Sequence, residues 1–199
     1  MPALIVSIEG TDFSGKTTIA NLLIEILREK NRDKKIIFKR TEVPSNLISG
    51  SFTKILRNSA DKISSNVFAL CYALDHLHHF EREILPLKEA KEFYVVIQER
   101  SLLSTYIYQG IIGDVNFEWL KEINKHDKNF PDLTLVLKID VEELLKRKSV
   151  ENKQFDKFET KEYVERQTSV YYNLPEDLRK MFNVEYVDAN GAPVEVADR

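Results

Sequence analysis

One octapeptide restricts this chain more than anything else in it: Gly10-Thr11-Asp12-Phe13-Ser14-Gly15-Lys16-Thr17. It satisfies G-x-x-x-x-G-K-[ST], a pattern whose glycines let backbone N–H groups curl around phosphate oxygens. The lysine brings a cation to the outer phosphates of a nucleotide, and the hydroxyl that follows suits Mg²⁺. Its surroundings agree with that reading. Residues 3–8 are a short, β-branched apolar run that reads as a buried parallel strand. After the loop, Ile19, Leu22, Leu23, Ile26 and Leu27 recur at helical spacing. Strand, loop and helix in that order aim a helix N-terminus at an anion. A nucleoside triphosphate is therefore the implied ligand, held by residues 10–17 and the adjoining Thr18.

The rest of the chain repeats the alternation. Residues 34–39, 93–97, 133–139 and 184–187 read as further strands. Helical spacing marks residues 52–57, 66–85 (stopped near Pro86), 102–109, 117–124, 141–148 and 161–173. Residues 40–50 read as irregular and residues 152–159 as a charged loop. Strands alternating with helices predict an α/β three-layer P-loop NTPase fold, with a mostly parallel sheet of about five strands. The expectation is a single domain over residues 1–199 with a short lid at about 148–159. The last residues, from Glu195 to Arg199, read as lacking the closing helix such a fold leads one to expect.

Composition removes several classes. Hydrophobic residues at 43% and charged residues at 31% exclude a disordered chain. With 29 Lys and Arg against 32 Asp and Glu, the net charge of −3 gives no general drive toward nucleic acid or an anionic membrane. No apolar run approaches the ~20 residues that span a bilayer, and the N-terminus does not read as a secretory signal. The single cysteine, Cys71, excludes an internal disulfide and fits a reducing compartment, so a cytoplasmic location is expected. A compact kinase of a small acceptor fits the length.

Five segments, one at the phosphate loop and four in order behind it, resemble the thymidylate kinase family of nucleoside monophosphate kinases. They are Glu99-Arg100 with Ser104-Thr105 and Tyr108-Gln109-Gly110, then Pro131-Asp132-Leu133-Thr134-Leu135, Leu145-Lys146-Arg147, and Phe155-Asp156-Lys157-Phe158-Glu159, together with Glu9-Gly10-Thr11-Asp12 at the loop itself. The resemblance implies transfer of the ATP γ-phosphoryl group to dTMP, with Mg²⁺ and as a homodimer. By the same resemblance, Asp12 lies near the acceptor phosphate and the metal, and Arg100 clamps the acceptor phosphate with Arg57 as a second arginine. Thr17, Asp12 and Glu99 are the implied metal residues. Tyr72 and His76, four apart on one helix, match the positions that stack on and donate to the base. Thr105 and Gln109 match the residues on the thymine edge, and Tyr108 matches the wall against the sugar. Arg147, Lys153 and Lys157 match the lid cations, and Asn190 matches the loop against adenine.

Four positions depart from the family pattern. Phe13 stands where some members place a loop arginine, Glu99 where Asp is usual, His76 where Arg is usual, and Lys157 where Arg is common. With Phe13 unable to stabilise charge, the lid is expected to supply the cations of the transition state. Two alternatives stay open at this level: a kinase of another nucleoside monophosphate, or a degenerate nucleotide-binding protein. For His76, His78 and His79 the alternative to a base pocket is a solvated helix face, since their spacing does not suit zinc.

Overall fold

The computed structural model describes residues 3–59, 61–150 and 161–199, with the backbone alone for 148–150. Its sheet has five parallel strands: β1 (Ala3–Glu9), β2 (Ile36–Glu42), β3 (Phe93–Glu99), β4 (Leu133–Lys138) and β5 (Val184–Asp188), ordered β2-β3-β1-β4-β5. The strand at the centre is β1, between β3 and β4. The chain leaves its carboxyl end at the point where the strand order reverses, which is where open α/β sheets hold ligands. The expected α/β fold is the observed one.

The helices are α1 (Lys16–Lys30), α2 (Ile48–Arg57), α3 (Ser65–His79), α4 (Leu85–Lys88), α5 (Leu102–Thr105), α6 (Phe117–Ile123), α7 (Val141–Val150), α8 (Lys161–Tyr172), α9 (Glu176–Met181) and α10 (Pro193–Asp198). One apolar layer packs α1 and α10 on the sheet through Ile8, Ile19, Ile24, Ile97, Leu137 and Val196. On the other face, Leu103, Tyr106, Ile107, Leu120, Val136 and Tyr171 form a second layer. No helix among the described residues is long and apolar enough to cross a membrane.

Several boundaries differ from the sequence expectation for physical reasons. Strand β2 runs on to Glu42 because Arg40, Thr41 and Glu42 complete a parallel ladder with Ile97, Gln98 and Glu99; inter-strand pairing overrides their polarity. Helix α2 begins at Ile48, so residues 48–50 are helical rather than irregular. Helix α3 does not run unbroken to residue 85. It widens into a π-helical turn over Phe80–Ile84, and Pro86 follows in the first turn of α4. Residues 106–112 are likewise π-helical, not α-helical. The closing helix is present after all: Pro193 starts α10, and Val196 and Ala197 bury themselves against α1. Of the lid expected at 148–159, only the helical backbone of 148–150 lies within the described residues.

Asp132 has a structural role here. Its carboxylate accepts from Ile5 N (2.8 Å) and its own N–H donates to Ile5 O (2.8 Å), so the Pro131-Asp132 entrance sets β4 against β1. A second buried carboxylate, Asp75, accepts from Ser45 N (2.7 Å), Ser45 Oγ (2.5 Å) and Ser49 Oγ (2.7 Å), pinning the loop before α2 to α3. Gly50 lets that loop lie close: a β-carbon there would stand 2.1 Å from Ser45 O. Gly50→Ala is therefore expected to lower stability by about 1–3 kcal/mol through backbone displacement, read as a reduced urea midpoint. An unchanged midpoint would show that the loop is free to move.

Candidate active site

The loop after β1 is shaped by its backbone. Gly10 (φ 145°) and Gly15 (φ 89°) take conformations that favour glycine. A β-carbon on Gly10 would also meet Ser14 Oγ at 2.8 Å. Phe13 adopts φ 65° at the turn and packs its ring on the core beside α1. Lys16 opens α1 and folds back to donate from Nζ to Thr11 O at 2.7 Å. Burial, then Arg100, depress its pKa to about 8, against the opposing pull of Asp12, Glu99 and Glu9. Thr17 Oγ1 donates to Glu99 Oε1 at 2.6 Å, while Arg40 Nη2 holds Glu99 Oε2 at 2.5 Å. A hydroxyl and a carboxylate side by side at the phosphate loop are hard oxygen donors of the kind a divalent cation takes. Glu99, despite its extra methylene, reaches this place.

Arg100 follows β3 directly. It sits at φ 65°, a left-handed conformation that costs a non-glycine residue about 1 kcal/mol or more. From there its Nη2 donates to Asp12 Oδ1 at 2.5 Å, and its Nη1 faces Ser104 Oγ (3.2 Å), Tyr171 OH (3.2 Å) and Tyr108 OH (3.4 Å). The guanidinium also lies over the Tyr108 ring, 5.3 Å from its centre. Arg57 approaches Asp12 from the other side, Nη2 to Oδ2 at 3.6 Å. Burial works against the Asp12 charge, but Arg100, Lys16 and Arg57 outweigh it and hold the carboxyl at about 2. Beneath this group lies Glu9, fully buried. Its Oε1 accepts from Ser101 N (2.7 Å) and Ser101 Oγ (2.9 Å), and its Oε2 from Ser104 Oγ (2.7 Å) and Tyr171 OH (3.0 Å).

Two hollows meet at these residues. One is a cavity of about 320 Å³ reaching down between α3 and α5, with Tyr72, His76, Thr105, Tyr108 and Gln109 in its wall. The other is a cleft over the phosphate loop, walled by residues 12–19, Glu99 and the α7 side chains Lys146 and Arg147. Asp12, Arg57 and Arg100 line both.

The sequence-derived candidates distribute accordingly. Tyr72, His76, Thr105, Tyr108 and Gln109 come together in the cavity, although the last two lie in a π-helical turn. Such turns are enriched at functional sites. His76 is no surface residue: it is 2% exposed, and its Nε2 meets Thr105 Oγ1 at 3.1 Å. His79 is buried as well, and His78 meets Ser49 Oγ at 2.9 Å, so the solvated-face alternative does not hold. Burial, partly opposed by Asp75 and reinforced by His79, lowers the pKa of His76 to about 4 and keeps the ring neutral. Arg147 stands by the loop, its Nε on Glu143 Oε1 at 2.9 Å. Asn190 does not line the cleft; Ala189 and Gly191 do. Its side chain bonds Asp188 and the Asp140 N–H instead. Lys153 and Lys157 lie outside the described residues.

Sequence reasoning missed Glu9, Tyr171 and Arg40 as members of the site. A carboxylate closing a buried strand before Gly10 was a signal for the first. Nothing local marks Tyr171, which arrives from α8.

Comparison with known proteins agrees with this geometry. The sequence profile described as thymidylate kinase matches residues 8–197. The chain belongs to the thymidylate kinase family. It is 32% identical over 195 residues to a thymidylate kinase of Finegoldia magna, spanning 94% of this chain and 90% of that one. It is 35% identical over 164 residues to a probable thymidylate kinase of Pyrococcus abyssi, spanning 79% and 76%. The match to a probable thymidylate kinase of Pyrobaculum aerophilum, 37% over 135 residues, covers 68% of this chain and 64% of that protein. Among solved structures, the thymidylate kinase of Ehrlichia chaffeensis shares the fold, with a TM-score of 0.70, 22% identity, and coverage of 99% and 96%. Members of this family are ATP-dependent phosphotransferases.

The buried His76 carries a pH signature. Its pKa is near 6.5 in an unfolded chain and about 4 in the fold, so between those values the unfolded chain binds a proton that the folded one refuses. Stability is therefore expected to fall as pH drops from 6.5 to 4, by up to about 3 kcal/mol from this group. Comparing urea midpoints at pH 7 and pH 5, His76→Gln should shrink the drop; a drop of unchanged size would contradict the burial.

Proposed function

We propose that this chain transfers the γ-phosphoryl group of ATP to the phosphate of dTMP, giving dTDP and ADP. The observation that carries the reading is the shared wall: Asp12, Arg57 and Arg100 border both the base-sized cavity and the phosphate-loop cleft. An acceptor phosphate held there faces a triphosphate held by residues 10–18.

In this reading the backbone amides of the loop and Lys16 bind the ATP phosphates, with Arg147 over the loop. Thr17 and Glu99, with Asp12 near by, would hold Mg²⁺ against the triphosphate; such an ion neutralises phosphate charge. Arg100 and Arg57 fix the acceptor phosphate, whose oxygen attacks the γ-phosphorus as the bond to the ADP oxygen breaks. Little covalent work is asked of the protein, and the cations around the moving group do most of it. Phe13 contributes none, so Lys16, Arg57, Arg100 and Arg147 act together with the expected lid residues Lys153 and Lys157. Tyr72 stacks on thymine, His76 with Thr105 and Gln109 reads its edge, and Tyr108 lies against the sugar. Asn190 has no part in this reading beyond shaping the loop after β5.

We extend the reading to a homodimer of single-domain chains. Ile48 (81% exposed), Phe52 and Ile55 form an apolar stripe on α2, and Val67, Leu70 and Leu74 form another on the adjoining α3. Two stripes on packed helices make a surface suited to a second copy. The cytoplasm is the proposed location, in keeping with the free thiol of Cys71 and the nucleotide substrates.

The deciding assay follows ADP release from ATP and Mg²⁺ with dTMP, dUMP, UMP, CMP, AMP and GMP. A strong preference for dTMP is expected, and loss of turnover in Lys16→Ala. A preference for another acceptor would move the specificity, and no turnover with any would favour a non-catalytic nucleotide binder. Sedimentation should find a dimer that Leu70→Asp converts to a monomer; a monomeric native chain would remove the dimer from the proposal.

A further inference from the structure

We propose that Gln98 and Asn129 are positioning residues for Arg100, holding its backbone in the conformation that aims the guanidinium at the acceptor phosphate. This rests on Arg100 being the phosphate clamp. Arg100 leaves β3 at φ 65°, and two hydrogen bonds fix its peptide groups in place. Its N–H donates to Ile8 O at 3.0 Å, and its carbonyl accepts from Gln98 Nε2 at 2.8 Å. Without the second bond, the left-handed turn has only one anchor on its own residue. A relaxed φ would swing the side chain away from Asp12 and the cavity mouth.

Gln98 calls for an explanation in its own right. It lies fully buried in an inner strand next to Val96 and Ile97, in a parallel sheet whose inner strands are ordinarily apolar. A buried amide costs free energy unless both of its ends are paired. In its row across the sheet stand Thr41, Ser7 and Thr134, whose hydroxyls have no protein partner. Gln98 uses both ends. A backbone carbonyl can only accept, so the NH₂ must face Arg100 O, and Oε1 then needs a donor. Asn129 Nδ2 supplies it at 2.7 Å, and Asn129 is itself fixed through its N–H on Asp127 Oδ1 at 2.8 Å. The polarity of the chain is thus set by the Arg100 carbonyl, through the Gln98 amide to the Asn129 side chain. These residues lie below the cavity, and neither Gln98 nor Asn129 lines it.

The test compares binding of dTMP, thymidine and ATP to the full chain by calorimetry, together with the KM for each substrate. Gln98→Met keeps the length and loses both hydrogen bonds. It should weaken dTMP binding and raise the KM for dTMP about tenfold, while thymidine and ATP change by less than about twofold. Asn129→Leu, which removes only the donor to Gln98, should give the same pattern more weakly and carries the test if Gln98→Met does not fold. In an Arg100→Ala background neither change should weaken dTMP further. If Arg100→Ala itself fails to separate dTMP from thymidine, the clamp reading falls and the proposal with it. If Arg100→Ala does separate them but the Gln98 and Asn129 variants leave dTMP binding unchanged, or weaken all three ligands alike, the positioning role is overturned.

Discussion

The buried carboxylate of Glu9 is the contact on which the site depends. An ionisable group with no exposed surface persists only when its oxygens are fully hydrogen-bonded. Glu9 meets that requirement with donors from three places: the Ser101 peptide and hydroxyl, Ser104 on α5, and Tyr171 on α8. Because Glu9 ends the central strand, the same bonds fix where α5 starts relative to the phosphate loop. Ser104 and Tyr171 then turn to Arg100 as well, so one set of hydroxyls serves the buried anion and orients the cation above it.

Parallel pairing does the rest. Ile8 lies in register with Glu99, so the residue after each strand end, in the loop or at Arg100, emerges on the same edge of the sheet. Asp12 and Arg100 are 88 positions apart in the chain and 2.5 Å apart in space for that reason. Arg40 and Glu99 meet through the same logic on the neighbouring strand, and Glu99 in turn takes the Thr17 hydroxyl. Opposite charges arranged in this way keep several cations close together without mutual repulsion dominating. They also leave Lys16 with a depressed pKa, since burial and Arg100 weigh more on it than its carboxylate neighbours.

The cavity adds a second kind of constraint. His76 brings an imidazole to the cavity wall, and burial keeps it neutral at physiological pH. An imidazole paired with the Thr105 hydroxyl can present either a donor or an acceptor, depending on which nitrogen carries the proton. The wall formed by Tyr72, His76, Thr105, Tyr108 and Gln109 is therefore hydrogen-bonding but uncharged, while the charged lining comes from Asp12, Arg57 and Arg100 on the phosphate-loop side and from Arg166 on α8. That separation suits a ligand with an apolar, polar-edged base at one end and a phosphate at the other.

The sequence by itself determined the phosphate loop, because glycine, lysine and threonine at that spacing have one geometry that satisfies their backbone and charge. It also determined the order of strands and helices, since apolar periodicity marks the face each element buries. Tyr72, His76, Thr105, Tyr108 and Gln109 were legible as a set through the family resemblance of their motifs. The extension of β2 through Arg40, Thr41 and Glu42 was not, because a ladder with β3 decides it and polarity argues against it. Nor were the π-helical turns, the helix formed by residues 193–198, or the inward burial of His79. Only the tertiary structure decided that Tyr171 closes the Glu9 cluster and that Gln98 faces the Arg100 carbonyl. Those contacts join residues distant in sequence, and a buried hydrogen bond is specified by where the two partners are brought, not by either one alone.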